Sequence, residues 1–282
     1  MTKCILNDRI INLDQAQIHV SDLALLRAYG IFDFFRLVGL QPLFIDDHIE
    51  RFFASADHLR LPCPIGRQHL QDLIMQLIGI NQIPNSGIRL VLTGGESDTG
   101  YSIGTPTLFV LNEPINPLPQ QHFAQGIKLL SYEYQRDIPE VKTINYLVGI
   151  YKLPEVKEKG ATDMIYHWNG KVSELTRSNF FIVDQNGVIA TAGNGVLKGI
   201  NRKHVIDLAG RHFEVQEREV FIDELHNATE AFITGTTKKV TPVVQVDDIV
   251  IGDGQPGPVT MKLQQLYDSY IMEHLRQRNY SV

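Results

Sequence analysis

Residues 136–146 have the sequence Arg-Asp-Ile-Pro-Glu-Val-Lys-Thr-Ile-Asn-Tyr, which places Lys142 just before a segment of helical periodicity. Pro139 favours an extended approach to the lysine, whereas Tyr146 and Ile150 recur at the spacing of one helix face. Apolar neighbours desolvate a lysine amine and lower its pKa, so that the neutral amine becomes nucleophilic. Such an amine can form a Schiff base with an aldehyde or ketone. From this stretch alone, an ordinary solvent-facing lysine is the competing interpretation.

The composition predicts a soluble globular protein that acts without nucleic acid, membrane or metal. The 282 residues suffice for two domains of ordinary size, and 43% of them are hydrophobic and 21% charged. The formal charge of -6 favours neither nucleic acid nor an anionic membrane as a partner. Cys4 and Cys63 are too few for a disulfide framework, and neither has a neighbour at metal-ligand spacing. Since no apolar signal segment is recognisable, we expect a cytoplasmic protein.

Three prolines within residues 112–120 indicate a linker. We therefore predict a smaller N-terminal α/β domain over residues 1–112, a proline-rich linker over residues 113–121 and a larger C-terminal domain over residues 122–282. The larger domain would carry Lys142. Both parts contain predicted strands and helices, so the predicted fold class is α/β (α+β).

Charged residues inside an apolar strand are the first sign of a site away from the lysine. The aromatic and aliphatic run over residues 29–38 predicts a buried strand, yet it contains Asp33 and Arg36. Charges in such a run either pair, line a cleft or alternate onto a solvent face. His48 and Arg51 lie three residues apart and would share a face near the start of the following helix.

Two glycine-containing segments can present free backbone amides to an anion. One spans residues 199–201 at a predicted helix start, with Asn201 as the predicted N-cap, and the other spans residues 235–237 after a predicted strand. Helix N-termini and glycine turns both bind phosphate, although ordinary capping explains either segment alone. Glu174 lies on the returning strand of a hairpin around Asn169-Gly170.

These residues together match what pyridoxal 5'-phosphate requires of a protein. The cofactor needs a lysine for its aldehyde, a charge partner for its ring nitrogen, donors for its phosphate and a wall for its ring. A carboxylate opposite the ring nitrogen keeps that nitrogen protonated, because the opposite charge favours the cation. The residues that could meet these needs are Lys142, Glu174, Arg51, Tyr146 and the two amide segments.

The order of the motifs resembles the class IV (fold type IV) pyridoxal-phosphate-dependent aminotransferases, over about residues 20 to 245. That family includes branched-chain aminotransferases, D-amino-acid aminotransferases and aminodeoxychorismate lyases. The motifs that carry the resemblance are residues 29–36, 48–51, 141–146, 174–180, 197–202 and 234–242.

The resemblance implies a two-domain fold with the cofactor at the domain interface. It also implies a homodimer in which a loop of one subunit reaches the site of the other. Lys142 would be the catalytic residue and no metal would take part. The implied cofactor-binding residues are Arg51, Lys142, Tyr146, Glu174, Gly199, Ile200, Asn201, Gly235 and Thr236. The candidate substrate-binding residues are Phe32, Arg36, Tyr101 and Thr237.

Two positions depart from the family's usual pattern. The family usually has glutamate where this chain has Asp33, and threonine where it has Asn201. Asparagine can still cap a helix and donate to a phosphate, so we expect cofactor binding to persist. The shorter Asp33 changes the reach of a group near the substrate side.

Four functions stay open at this stage. We favour a transaminase that moves an amino group between a branched-chain or other apolar amino acid and a 2-oxo acid such as 2-oxoglutarate. The alternatives are an aminodeoxychorismate lyase that forms 4-aminobenzoate and pyruvate, a D-amino-acid aminotransferase, and a homologue that binds the cofactor without catalysis.

The spacing after Lys142 and the side chains near the expected substrate position distinguish between these alternatives. Two residues separate Lys142 from Asn145, which resembles the D-amino-acid enzymes and the lyases. Lyases often carry threonine at the position of Asp33, and the loop over residues 95–101 lacks the arginine and histidine of the D-enzymes. The aromatic residues around Phe32 suit an apolar substrate side chain.

Overall fold

The computed structural model describes residues 2–278, which divide into two compact units. The first unit contains residues 2–116, 141–145 and 275–278 of the described chain, and the second contains residues 117–140 and 146–274. Residues 141–145, which include Lys142, thus group with the first unit, whereas the sequence analysis assigned this lysine to the C-terminal domain. The reason is that residues 141–145 hydrogen-bond to a strand of the first unit.

The first unit is a six-stranded antiparallel sheet with three helices. Its strand order is β2-β1-β6-β5-β3-β4. The elements are β1 Lys3–Leu6, β2 Arg9–Asn12, α1 Leu23–Arg27, β3 Gly30–Val38, β4 Gln41–Pro42, α2 Ile45–His58, α3 Arg67–Asn81, β5 Gly87–Thr93 and β6 Leu108–Glu113.

The alternation of side chains along β3 separates a core face from an accessible face. Ile31, Phe35 and Leu37 are buried on one face, because successive side chains of a strand point to opposite sides. The same alternation carries Asp33 into the interior, where its surface is 0% exposed. Phe32, Phe34 and Arg36 are half-buried on the other face. The strand therefore serves the core and a candidate site at once.

Helix α2 begins at Ile45, ahead of the acidic residues Asp46 and Asp47 that capping preference would favour as its N-cap. Its N-cap is Phe44, and Asp46 and Asp47 lie inside the first turn. Phe44 and Ile45 are buried, so apolar packing sets the helix start. The two carboxylates still interact favourably with the positive end of the helix dipole.

The second unit is built on a ten-stranded mixed sheet. The main strand order is β12-β11-β10-β14-β15-β7-β8-β9-β13, with β16 paired to β15. The elements are α4 Gln120–Gln125, β7 Ile127–Glu133, α5 Leu147–Glu158, β8 Asp163–Trp168, β9 Lys171–Leu175, β10 Asn179–Val183, β11 Ile189–Ala192, α6 Ile200–Ala209, β12 Val215–Arg218, β13 Val220–Phe221, β14 Glu230–Gly235, β15 Lys239–Val246, β16 Ile249–Val250 and α7 Pro258–Gln277.

Strand β10 crosses the interior of this sheet and is buried at all five positions. Phe180 and Ile182 join a core with Leu129, Ile165 and Ile233 from neighbouring strands. A continuous apolar run of this kind is typical of a strand covered on both faces. The loops at the ends of these buried strands carry the polar residues described below.

Two absences apply to residues 2–278. None of their helices combines the length and apolar character needed to cross a membrane. No group of three or more histidine, cysteine, aspartate or glutamate side chains among them is arranged to hold a metal ion.

Candidate active site

The segment over residues 141–145 is fixed to strand β3 by backbone hydrogen bonds. Phe32 N donates to Lys142 O at 2.9 Å, and Ile144 N donates to Gly30 O at 3.1 Å. A Cβ atom at Gly30 would lie 2.8 Å from Leu92 O of β5 and 3.1 Å from Ile144 Cδ1, so glycine leaves room for β5 and for the Ile144 side chain at this position. The lysine is consequently held by backbone on a strand, which restricts where its amine can reach.

The amine of Lys142 lies against an aromatic face. Its Nζ atom is 4.4 Å from the centroid of the Phe32 ring, within the range of an attractive cation–π contact. The Phe32 ring therefore orients the amine in the first unit. Lys142 is thus a neighbour of Phe32, which belongs to the aromatic and aliphatic run over residues 29–38.

Beneath this surface, Asp33 is the centre of a buried charged cluster. Arg51 donates to both carboxylate oxygens of Asp33, from Nε at 2.8 Å and from Nη2 at 2.8 Å. His48 Nδ1 lies 2.7 Å from Oδ1, and Phe34 N donates to the same oxygen at 2.7 Å. Since a carboxylate with these donors is satisfied, full burial of Asp33 is tolerated.

The cluster holds its members in defined charge states. Burial opposes ionisation of Asp33, but the adjacent Arg51 and His48 outweigh it and hold the pKa of that carboxyl far below its ordinary value. Burial lowers the pKa of His48, and the positive charges of Arg51 and Lys142 lower it further against the effect of Asp33. The Asp33 carboxylate and the Arg51 guanidinium therefore pair as opposite charges inside the cluster.

Arg51 was expected to bind the phosphate of the cofactor. Its Nε and one Nη2 hydrogen are committed to Asp33, and 13% of its side chain is exposed. The expected phosphate contact stays a prediction. What the contacts establish is that Asp33 and His48 position the guanidinium.

The accessible face of the sheet carries, on β5, a cation that the sequence analysis missed. Phe34 of β3 pairs with Arg89 of β5, and the Arg89 guanidinium lies 5.0 Å from the Phe34 ring and 5.6 Å from the Phe32 ring. Glu113 accepts from Arg89 Nε and Nη2 in a two-pronged pair. The available signal was a charged residue within a buried strand, the same signal that pointed to Arg36.

Tyr101 lies elsewhere on the first unit. It follows a bend after β5, and 85% of its surface is exposed. Its expected contact with a substrate carboxylate stays a prediction, as does that of Arg36, which is half-buried next to Phe34 on β3.

In the second unit, Glu174 is held in place by two donors. Arg136 Nε donates to Oε1 at 2.8 Å, and Leu197 N donates to Oε2 at 3.1 Å. The glutamate is 5% exposed, and Arg136 also donates to Pro139 O. Arg136 is the second residue that sequence reasoning missed, although it opens the segment that contains Lys142. A charged donor beside Glu174 favours its carboxylate form.

The first predicted amide segment begins helix α6, but with a different cap. Gly199 is the N-cap, so the assignment of that position to Asn201 was wrong. A Cβ atom at Gly199 would lie 2.2 Å from Asn179 Oδ1, and Asn179 Nδ2 donates to Leu197 O at 2.8 Å. A side chain at position 199 would displace Asn179, which explains why the chain starts this helix with glycine.

The second predicted amide segment is the turn between β14 and β15, residues 235–238. Gly235 O accepts from Lys238 N at 3.1 Å and from Asn201 Nδ2 at 2.8 Å. The Oγ atom of Ser178 is buried without a hydrogen-bond partner, and it lies 3.0 Å from the place where a Cβ of Gly235 would be. An unsatisfied donor beside a glycine turn fits a phosphate oxygen.

A comparison with protein families now assigns the chain. Residues 30–246 match the family described as amino-transferase class IV. The chain belongs to the class IV aminotransferases. Members of this family use pyridoxal 5'-phosphate, which agrees with the donors and carboxylate described above. The expectations of an aminotransferase, of its fold class and of its cofactor are confirmed.

Individual relatives match along nearly the whole length of this class IV aminotransferase. A putative branched-chain-amino-acid aminotransferase of Methanocaldococcus jannaschii is 32% identical over 277 residues, which cover 94% of this chain and 95% of the relative. A D-alanine aminotransferase of Listeria monocytogenes is 28% identical over 280 residues, with 96% of each chain covered.

Solved structures agree in fold. The branched-chain amino acid aminotransferase of Escherichia coli superposes with a TM-score of 0.89 at 26% identity, covering 95% of this chain and 94% of that one. The branched-chain aminotransferase of Thermoproteus uzoniensis with norvaline gives a TM-score of 0.88 at 24% identity, covering 98% of this chain and 96% of that one. The predicted fold type IV architecture is therefore confirmed.

Replacing Asp33 tests the charged cluster of this aminotransferase. Because the pKa of Asp33 is depressed on folding, its contribution to stability is complete above about pH 4 and is lost as the pH falls further. We expect Asp33→Asn to lower the free energy of unfolding at pH 7 by about 3 to 5 kcal/mol and to flatten its decrease at acidic pH. Urea denaturation at several pH values measures both effects.

Asp8→Asn serves as the control, because Asp8 forms an exposed pair with Arg9. This variant should keep the stability and acid dependence of the unmodified protein. Equal acid dependence in Asp33→Asn and the unmodified protein would contradict the assigned charge state.

Proposed function

We propose that this class IV aminotransferase moves an amino group between an apolar amino acid, of branched-chain type, and a 2-oxo acid such as 2-oxoglutarate. The observation that carries the proposal is the amine of Lys142, held 4.4 Å from the Phe32 ring at one end of an aromatic row. The name of the relative from Methanocaldococcus jannaschii supports the branched-chain assignment.

Lys142 is the residue that we assign to proton transfer. When bound, pyridoxal 5'-phosphate supplies an electron sink that acidifies the Cα–H bond of the substrate. The Lys142 amine would hold the cofactor aldehyde as a Schiff base. Once a substrate amine replaced it, the free amine would accept the Cα proton as a general base and return it as a general acid.

The second unit supplies charge and backbone donors in this proposal. Arg136 and Leu197 N orient the Glu174 carboxylate, which would keep the pyridine nitrogen protonated. The amides of Gly199, Ile200 and Asn201 at the start of α6, and those of Gly235 and Thr236, would donate to the phosphate. Ser178 Oγ is a further donor for this group, because it is buried without a hydrogen-bond partner.

We propose binding roles for three further residues. Tyr146 is the N-cap of α5 and half-buried, and we propose it as the wall of the ring. Arg51 would approach the phosphate with the Nη1 nitrogen that it does not direct at Asp33. Thr237, half-buried in the turn after β14, would face the substrate.

Arg89 and Glu113 bear on the choice of substrate. The Lys142 amine and the Arg89 guanidinium both lie on the Phe32 ring, so the sum of their centroid distances limits their separation to about 10 Å. That distance is within reach of an amino acid with an extended side chain. Glu113 neutralises Arg89 when an apolar side chain lies beside it, and a distal carboxylate of a substrate would have to displace Glu113.

A D-amino-acid aminotransferase is the second candidate, favoured by the D-alanine aminotransferase among the relatives. The loop that contains Tyr101 has no arginine or histidine between residues 95 and 103, which argues for another mode of carboxylate binding. The lyase and the non-catalytic homologue remain alternatives that the assay below separates.

We also propose a cytoplasmic homodimer. Large apolar side chains are exposed on both units and would be covered by a second copy of the chain. They are Val20, Leu25, Tyr101, Leu147, Ile150 and Tyr151. Sedimentation of the purified protein measures the assembly directly.

The function is tested by loading the protein with pyridoxal 5'-phosphate and following its visible absorbance. We expect L-leucine and L-glutamate to remove the band of the bound cofactor, and their 2-oxo acids to restore it. If only D-alanine removed the band, the protein would be a D-amino-acid aminotransferase instead. If aminodeoxychorismate released pyruvate without a lasting change in the absorbance band, the protein would be the lyase.

Lys142→Ala should abolish turnover, because it removes the amine to which we assign Schiff-base formation and proton transfer. Cofactor absorbance and product formation are both measured. Lys152→Ala is the matched control, since Lys152 pairs at the surface with Glu155, and it should retain full activity. Full activity in Lys142→Ala would exclude this lysine as the catalytic residue.

Glu113→Gln tests the substrate assignment. Removing the charge of Glu113 frees Arg89 to pair with a distal carboxylate, so kcat/KM for L-glutamate should rise about tenfold, or about 1.4 kcal/mol. The value for L-leucine should stay equal or fall. Glu155→Gln is the control, and an unchanged ratio of the two substrates in Glu113→Gln would contradict the role of Arg89.

A further inference from the structure

The turn formed by residues 235–238 is held at both of its ends by buried side chains. This turn lies between β14 and β15 and contains the amides of Gly235 and Thr236 that we propose as phosphate donors. One contact reaches Gly235 from helix α6, and the other reaches Lys238 from strand β8. Neither contact follows from the turn itself, which is already closed by Lys238 N donating to Gly235 O.

The first contact comes from Asn201, one of the two departures from the family pattern. Its side-chain Nδ2 donates to Gly235 O at 2.8 Å, and the residue is 5% exposed. Because Asn201 is the second residue of α6, this bond joins one amide segment directly to the other. A threonine hydroxyl is one bond closer to the backbone than an asparagine amide nitrogen and would not reach as far from the same position.

The second contact is an ion pair at the other end of the turn. Lys238 Nζ lies 2.5 Å from Asp163 Oδ2, and both side chains are about nine-tenths buried. Asp163 also accepts from Met164 N at 2.8 Å and bonds to the side chain of Thr176. The ammonium is thus turned into the protein and tied to the strands beside Glu174.

We propose that Asn201 and the Lys238–Asp163 pair are positioning residues that hold the 235–238 turn at a fixed distance from the start of helix α6. The two amide segments then bind one phosphate group together. This inference rests on the proposed binding of pyridoxal 5'-phosphate. It assigns a use to the asparagine that replaces the usual threonine, and to a buried lysine that pairs with Asp163.

We call Asn201 and the Lys238–Asp163 pair the clamp. Its physical advantage is that the amides of the turn are preorganised. Amides that are already in place need no ordering when an anion binds, so more of their interaction with the phosphate appears as affinity. The tight fit at Gly235, where an added Cβ would lie 3.0 Å from Ser178 Oγ, leaves the turn little alternative placement. A shift of the turn would separate its amides from those of α6.

The first test compares pyridoxal 5'-phosphate with pyridoxal, which lacks the phosphate. Asn201→Ala should weaken binding of pyridoxal 5'-phosphate at least tenfold and change the dissociation constant of pyridoxal less than twofold. Fluorescence titration of the cofactor-free protein measures both constants. A purely structural role would weaken both ligands equally, and that result, or no change in either, would overturn the proposal.

The second test removes the other end of the clamp. Asp163→Asn combined with Lys238→Met avoids leaving one buried charge unpaired, and it should give the same phosphate-dependent loss. Lys239→Met is the matched control, since the adjacent Lys239 pairs with Asp268 in an exposed position. This control should bind both ligands like the unmodified protein. A loss in the control equal to that in the double variant would overturn the proposal.

The closing experiment combines all three substitutions and compares the loss with the separate losses. If Asn201 and the ion pair act through one shared turn, the combined loss is smaller than their sum. Additive losses would show independent contacts to the phosphate and would overturn the clamp. Failure of the proposed function is distinguishable, because the unmodified protein would then bind pyridoxal 5'-phosphate no better than pyridoxal.

Discussion

The buried carboxylate of Asp33 is the constraint on which the candidate site of the first unit depends. An ionised group at that depth is stable only with several donors, and it therefore fixes the positions of His48 and Arg51 on helix α2. The same strand hydrogen-bonds to Lys142 through Phe32 N. One strand thus joins the core, the charged cluster and the amine, because its buried face carries the core residues and Asp33 and its other face carries Phe32 beside the amine.

In the second unit the main constraint is the placement of backbone donors. Gly199 and Gly235 both lie where a Cβ atom would meet polar side-chain atoms at 3.0 Å or less. Asn179 lies beside Gly199, and Ser178 lies beside Gly235. The absence of a side chain at Gly199 and Gly235 allows neighbouring polar side chains to approach the backbone. Those side chains then fix the direction of the amides. Arg136 does the same for the carboxylate of Glu174.

Much of the fold followed from local patterns, because these patterns arise from neighbours in the chain. The buried strand predicted over residues 29–38 and the helix that follows it were both confirmed. The N-cap predicted for α6 was wrong, because Asn179 lies where a side chain at Gly199 would be. Arg89 and Arg136 were missed, because their partners are 24 and 38 residues away.

The sequence by itself determined the class of chemistry: six motifs in order specify a lysine, a carboxylate and two amide segments for one cofactor. Those features are local, because each depends on residues within a few positions. Only the tertiary structure decided which charges are paired, such as Asp33 with Arg51, Arg89 with Glu113 and Lys238 with Asp163. Pairing depends on distance in space, and β-sheet register and helix packing set that distance across long stretches of chain.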